Sequence, residues 1–283
     1  MNVALSDSDY AFGFFDSTYT FPEVSVTKER LVTCYEIELY LENGGVTYVD
    51  GEPHQIKRGY VLCAKPGSVR YSELPLKTNY VKISTAASSL RETLEGLEVY
   101  FSVADIDYGS ELVKSMLWAR EQGDELLQHA GLLTLLAWVQ KESERAVRLR
   151  DIHKQKSREA IGRSMEYMEA NFKGKCTLEE VAAYVHLSPV YFHGIFRKAV
   201  GRTPYEYVTR LRVEEAKRLL LTGSMSMADI SEACGFSSQS YFNHSFKHRV
   251  GVTPGEYRRG VLAGYFSENA ILNDTRSKKE NIK

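Results

Sequence analysis

Paired cysteines are missing from this 283-residue sequence. Cys34, Cys63, Cys176 and Cys234 are scattered and none stands in a Cys-x-x-Cys pair, which excludes a disulfide framework and a zinc site. They read as buried thiols in a reducing cytosol. Long apolar runs are missing too. The most apolar stretch, Ala130 to Val139, has ten residues, against the ~20 needed to cross a bilayer. The N-terminus shows no basic segment followed by an apolar one, so the expectation is a cytoplasmic protein with no membrane partner. Histidine is scarce: His54 is the only one before His129, and a lone histidine reads as an ordinary surface or core residue. No nucleophile–base constellation and no glycine-rich phosphate loop appear. The expectation is no enzymatic activity, no metal and no cofactor.

An excess of one charge is also lacking. The formal net charge is -1, so total charge says nothing about nucleic acid. Its distribution says more: Ser157 to Leu262 holds 15 Lys and Arg against 11 Asp and Glu, while the remainder holds 21 against 26. The length suits two domains, and a mildly basic C-terminal one suits phosphate contact.

What the sequence does contain is one unit written twice. The first copy runs Val181 to Ser188, then Tyr191-Phe192, Phe196, Gly201, Thr203-Pro204 and Tyr207. The second runs Ile230 to Ser237, then Tyr241-Phe242, Phe246, Gly251, Thr253-Pro254 and Tyr257. The offset is 49 residues to the serine and 50 from the Tyr-Phe pair onward, so one residue is inserted in the second turn. Thr177-Leu-Glu-Glu180 and Ser226-Met-Ala-Asp229 are capping boxes. Each short helix stops at a tight turn, Val185-His-Leu187 or Cys234-Gly-Phe236, and Ser188, or Ser237 or Ser238, starts a second helix. Short helix, short turn and second helix make a helix-turn-helix unit.

On Gly235-Phe236, Ser240-Tyr-Phe242, Phe246-Lys247, Gly251, Thr253-Pro254, Tyr257-Arg258 and their first-copy partners, residues ~175–259 resemble the DNA-binding domain of AraC/XylS bacterial transcription regulators. The resemblance implies an all-α domain with two helix-turn-helix units joined by a long helix. That helix, Pro204 to about Leu221, spans ~27 Å, enough to hold two recognition helices about one DNA turn apart. DNA-repair methyltransferases that share this domain need reactive cysteines at paired spacing, which this chain lacks.

The N-terminal part reads as strands and turns over about residues 10–85. Tyr35, Ile37, Leu39 and Leu41 alternate with Glu36, Glu38 and Tyr40, the period of a half-buried strand. Asn43-Gly44-Gly45 and Asp50-Gly51 are expected hairpin turns. Val46–Val49, Tyr60–Ala64 and Tyr80–Ser84 are further strands. Their spacing resembles the cupin-like β-barrel that senses ligands in this family, giving an α+β fold overall. A capping box at Ser89 to Glu92 opens a short helix, and a helical pair follows, Ser110 to Gln122 and Asp124 to about Val147. Leu132, Leu133, Leu135, Leu136, Trp138 and Val139 make the second helix apolar nearly all round, serving the core, a homodimer interface, or both. The expected domains are 1–148, a basic linker 149–156, the DNA-binding domain 157–262 and a disordered tail 263–283.

Subtracting buried positions leaves Pro189, Val190, His193 and Arg197 in the first recognition helix, with Gly194 among them. In the second it leaves Gln239, Ser240, Asn243, His244 and Lys247. These are the expected readers of major-groove base edges. Lys198, Arg249 and Arg258 are expected at phosphates, as are the helix starts Thr203 and Thr253, whose free amides suit an anion. In the N-terminal domain Tyr35, Glu38, His54, Arg70 and Tyr80 are candidate ligand contacts. Arg70 stands where the family often carries histidine. It either selects an anionic effector such as a sugar acid or pairs with Glu36, Glu38 or Glu73. Operator DNA, a second copy, a small molecule and, for an activator, RNA polymerase are the implied partners. The rivals are an enzyme, a protein-interaction module, and a regulator whose N-terminal domain dimerises without a ligand.

Overall fold

The computed structural model describes residues 9–84, 90–222 and 225–262. It is a mixed α+β chain that divides between His153 and Lys154 into two units. The tail 263–283, and Ser89 of the first expected capping box, lie outside the described residues.

The first unit holds β1 (Tyr10–Asp16), α1 (Ser17–Thr20), β2 (Arg30–Leu31), β3 (Tyr35–Tyr40), β4 (Val46–Val49), β5 (Glu52–Gln55), β6 (Tyr60–Ala64), β7 (Val69–Ser72), β8 (Lys77–Ile83), α2 (Arg91–Glu95), β9 (Tyr100–Ser102) and α3 (Ile106–Gln122). It also holds the first part of α4 (Glu125–Asn171). The strands form two antiparallel sheets, ordered β1-β8-β3-β6-β9 and β2-β7-β4-β5. Among the described residues no ladder joins one sheet to the other, so no closed barrel forms.

Two expectations change here. β3 and β4 belong to different sheets, so Asn43-Gly44-Gly45 is a crossover and not a hairpin turn. Its glycines are needed for close approach: a Cβ on Gly44 or Gly45 would lie 2.1 or 2.2 Å from the carbonyl oxygens of Pro75 and Glu73. Asp50-Gly51 is the hairpin turn, both residues having positive φ, between β4 and β5. β3 is not half-exposed either. Tyr35, Ile37 and Leu39 pack with Val113, Met116 and Leu132 of the helices, while Glu36, Glu38 and Tyr40 face the second sheet.

That inner face is held by charge. Arg70, 3% exposed, donates Nη1 to Glu36 at 3.0 Å and Nη2 to Glu38. Glu36, equally buried, also meets Arg30 at 2.6 Å and Lys82 at 3.4 Å. Burial alone would raise the Glu36 carboxyl; Arg30, Arg70 and Lys82 outweigh it and hold it below the usual carboxylate range. Arg70 therefore makes the pairing foreseen as the alternative to ligand selection.

The second part of α4 opens the other unit. This helix does not stop near Val147 but continues to Asn171, through 149–156 and through the expected first helix of the DNA-binding domain. Arg, Lys and Gln favour helix on a solvated surface, so losing the apolar period did not end it. α5 (Leu178–Tyr184), α6 (Pro189–Val200), α7 (Pro204–Thr222), α8 (Met227–Ala233), α9 (Gln239–Val250) and α10 (Pro254–Leu262) follow. Two apolar clusters form, one around Phe192, Phe196 and Tyr207, the other around Phe242, Phe246 and Tyr257. No helix among the described residues is long and apolar enough to cross a membrane.

Both helix-turn-helix turns use the left-handed region at matching positions, His186 at φ 59° and Gly235 at φ 79°. A Cβ on Gly235 would lie 2.5 Å from the Lys173 carbonyl oxygen, whereas His186 is exposed. Gly235→Ala is expected to lower unfolding free energy by more than ~1 kcal/mol, and His186→Gly to stay within ~1 kcal/mol of wild type. Equal effects in chemical denaturation would contradict this account of the second turn. Arg70→Ala leaves two buried carboxylates short of a cation and is expected to cost ~3–5 kcal/mol; a loss below ~1 kcal/mol would contradict the buried pairing. Because the Glu36 carboxyl is depressed, its stabilisation is complete above its unfolded value of ~4.3 and lost as pH falls below that. An acid titration followed by circular dichroism should show the first unit losing stability in that direction.

Candidate nucleic-acid interface

Each recognition helix is set by its own caps. Ser188 accepts from the Tyr191 amide to start α6, with Pro189 in the first turn. Ser238, not Ser237, accepts from the Tyr241 amide to start α9, so Ser237 is the inserted residue. Gly201 and Gly251 end the helices at φ 72° and 89°. Both helices are 12 residues long. The helices before them begin with complete capping boxes, Thr177 with Glu180 and Ser226 with Asp229. The Asp229 box closes as fully as the Glu180 box despite its shorter side chain.

Burial of Phe192 and Phe196 turns Val190, Gly194, Arg197 and Lys198 outward; Val190 is 86% exposed. Pro189 and His193 are half-buried. In α9, burial of Phe242, Ser245 and Phe246 turns Gln239, Ser240, Asn243, His244 and Lys247 outward. The side chains of His193, Gln239, Ser240 and Asn243 make no hydrogen bond among the described residues, leaving donors and acceptors free on both helices. Gly194 has nothing within 4 Å of where a Cβ would sit, so tight packing against a neighbouring helix does not explain it. Sequence reasoning missed His248, exposed one turn beyond His244, the two rings stacked at 6.3 Å. The i, i+4 spacing of two histidines was the available signal.

The expected phosphate contacts divide. Lys198 is exposed and points away from the core. Thr203 and Thr253 do not present free amides: their N–H groups donate to Glu206 and Glu256, each at 2.8 Å. These are two further capping boxes, visible as Thr-x-x-Glu, and they place a carboxylate where an anion was expected. Arg249 donates to the Glu206 carbonyl at 2.9 Å, and Arg258 to the Met225 carbonyl at 2.8 Å. Both guanidiniums brace the domain in this arrangement.

Within the second unit, the two helix-turn-helix motifs are tied together around α7. Arg212 donates to the carbonyls of Phe172 at 2.7 Å and Gly174 at 3.0 Å. Lys173 pairs with Glu215 at 2.7 Å, and Arg218 joins the same carboxylate. Arg218 first and Lys173 next hold the Glu215 carboxyl down to about 2. The Tyr205 and Tyr241 hydroxyls meet, joining the start of α7 to α9.

Of the candidate ligand contacts in the first unit, Glu38, Arg70 and Tyr80 share a cavity of about 380 Å³ that opens between the two sheets. Tyr35 lies on the helix-facing side of β3 and donates to Glu95 at 2.6 Å. His54 lies against Tyr100, the two rings tilted with centroids 5.0 Å apart, outside that cavity.

Residues 181–260 match the family model described as a helix-turn-helix domain. The chain is 37% identical over 94 residues to the bifunctional transcriptional activator/DNA repair enzyme AdaA of Bacillus subtilis, covering 33% of this chain and 44% of the relative. It is 29% identical over 204 residues to the regulatory protein PocR of Salmonella typhimurium, covering 72% of this chain and 64% of the relative. The chain thus spans between two-fifths and two-thirds of the length of these two relatives. A solved AraC-type transcriptional regulator from Chromobacterium violaceum is 31% identical over 37% of this chain and 93% of its own, with a TM-score of 0.35. The duplicated unit, its turn residues and the matched model together show that residues 181–260 form a helix-turn-helix domain of the AraC/XylS type of transcription regulator.

Proposed function

We propose that this chain regulates transcription in the bacterial cytoplasm by reading operator DNA with α6 and α9, and that it is not an enzyme. The observation that carries this reading is the pair of recognition helices, each with outward polar side chains that have no hydrogen-bond partner among the described residues. Gln239 and Asn243 suit adenine, Val190 a thymine methyl group, and Ser240, His193 and His244 either donors or acceptors. Pro189, Arg197 and Lys247 complete the two faces, and Lys198 suits phosphate. α7, 19 residues long, spans ~28 Å, close to one DNA turn, so one monomer engages two successive major-groove segments. The likeness to AdaA spans only a third of this chain and lends no support to repair chemistry.

In the same reading the first unit is a cupin-like sensor and dimerisation domain. Its two facing sheets enclose a polar cavity, and α3 and α4 leave Trp118, Leu126 and Leu133 exposed, Leu126 at 81%. A second copy would cover that apolar face. RNA polymerase is a further partner if the chain activates. A second reading keeps the first unit as a dimerisation module without effector. It is favoured by Arg70, whose charge the protein itself neutralises.

Gly194 gives the two units unequal reading power. A glycine inside a helix costs ~1 kcal/mol relative to alanine, and open space beside it leaves room for close approach to a groove wall. Asn243→Ala and His244→Ala are therefore expected to relax base preference by ~1–3 kcal/mol, more than His193→Ala does. Gly194→Arg should raise nonspecific affinity and steepen the salt dependence by roughly one phosphate's worth. Binding-site selection on these variants at two salt concentrations checks both. No selected motif with wild type would sink the DNA reading; equal degradation by His193→Ala would sink the asymmetry.

A further inference from the structure

The cavity between the two sheets carries a charge imbalance. Arg30, Arg70 and Lys82 line it, against Glu38 alone. Glu36, packed behind them, touches all three cations. Two carboxylates thus face three cations, and one positive charge is left over. Arg70 cannot carry it to a ligand, because it is buried and bridges both carboxylates. Arg30 and Lys82 can: they are 45% and 46% exposed, and Lys82 is the more loosely held of the two, at 3.4 Å from Glu36.

The cavity's hydroxyls are largely engaged. Thr78 donates to the Leu39 carbonyl at 2.9 Å, Ser72 shares a hydrogen bond with Thr47 at 2.8 Å, and Thr27 accepts the Ser72 amide at 2.8 Å. Glu38 binds Arg70 through Oε2, and its Oε1 has no hydrogen bond among the described residues. Phe15, Leu76 and Tyr80 supply apolar and aromatic wall. The groups free to meet a ligand include surplus N–H donors on Arg30 and Lys82 and one carboxylate oxygen, beside the Tyr71 and Tyr80 hydroxyls. The volume is in the range of small-molecule sites.

We infer that this cavity takes a small monoanionic hydroxy acid, its carboxylate set against Lys82 and Arg30 and a hydroxyl donating to Glu38. This rests on reading the first unit as a sensor, and it moves anion selection from Arg70 to Lys82 and Arg30. The hydroxyl requirement follows from Glu38, which as a carboxylate accepts and cannot donate.

The test uses the full chain, with D-gluconate as probe, D-glucose as its neutral counterpart and hexanoate as an acid without hydroxyls, at constant ionic strength. Calorimetric titration and thermal shift should show gluconate binding more tightly than either. Lys82→Met should weaken it by about tenfold or more, as loss of a charged hydrogen bond implies, and Lys82→Arg should retain most of it. Lys82 is half-exposed, so its variants are expected to fold. Three results would each overturn the inference: glucose or hexanoate binding as tightly, gluconate binding unchanged in both Lys82→Met and Arg30→Gln, or no gluconate binding at 50 mM (about the weakest affinity worth detecting). DNA affinity measured with and without gluconate separates the two levels. Gluconate held through Lys82 with unaltered DNA affinity leaves the site standing and removes its regulatory role. Glucose or hexanoate changing DNA affinity where gluconate does not would keep regulation and remove the hydroxy acid.

Discussion

The spacing of the two reading helices depends on one clasp, the Arg212 guanidinium closed over the carbonyls of Phe172 and Gly174. The end of a helix leaves carbonyls without partners and a partial negative charge. A cation from α7 meets both needs at the end of α4. Desolvation lowers the Arg212 pKa, and the clasp keeps its charge because a guanidinium stays protonated in proteins. The same carbonyl run, at Lys173, is what the second turn packs against, and only glycine at 235 fits there. Position of α7, docking of α8 and direction of α9 follow from that short stretch. The Tyr205–Tyr241 contact and the Arg249 bond to Glu206 then fix the far end.

The sheet domain is organised by a different economy of forces on its two sides. Toward α3 and α4, β3 presents Tyr35, Ile37 and Leu39 to an apolar core. Toward the second sheet it presents two carboxylates and a tyrosine. Burying those charges is tolerable because Arg70 enters from β7 between them and Arg30 and Lys82 join it at Glu36. A purely apolar inner face would pack as well or better; the polar one suits the sensing role proposed above for this domain.

How much of this was legible in the sequence varies by element. The helix-turn-helix units were, because caps, turns and apolar spacing coincide within 30 residues or so of chain, a local signal. Val46–Val49 and Tyr60–Ala64 were read with the bounds the structure has. β1, β5 and β9 at sheet edges and the four-residue β7 between β2 and β4 were not, since such strands carry little alternation of their own. The apolar period of α4 ends at about Val147 while the helix runs on to Asn171, because a solvated helix has no need of that period. The role of Arg70 depends on which strand faces it across the interior, and register between sheets leaves no local mark. Glu38, Arg70 and Tyr80 do share a cavity, but Tyr35 and His54 fall elsewhere, as the two faces of a strand would separate them. At Thr203 and Thr253 the box was legible too, since Glu206 and Glu256 stand three residues on, as Glu180 does from Thr177.

The caps of α6 and α9 have a consequence for how such a chain changes over time. A serine fixes where each helix begins, a left-handed glycine fixes where it ends, and buried phenylalanines fix its rotation. None of these lies among the outward residues. The reading surface can therefore be rewritten side chain by side chain while the scaffold stays as it is. Two such surfaces on one chain are free to diverge independently, so under the proposed function the duplicated unit need not be confined to repeated half-sites and can read two unlike words.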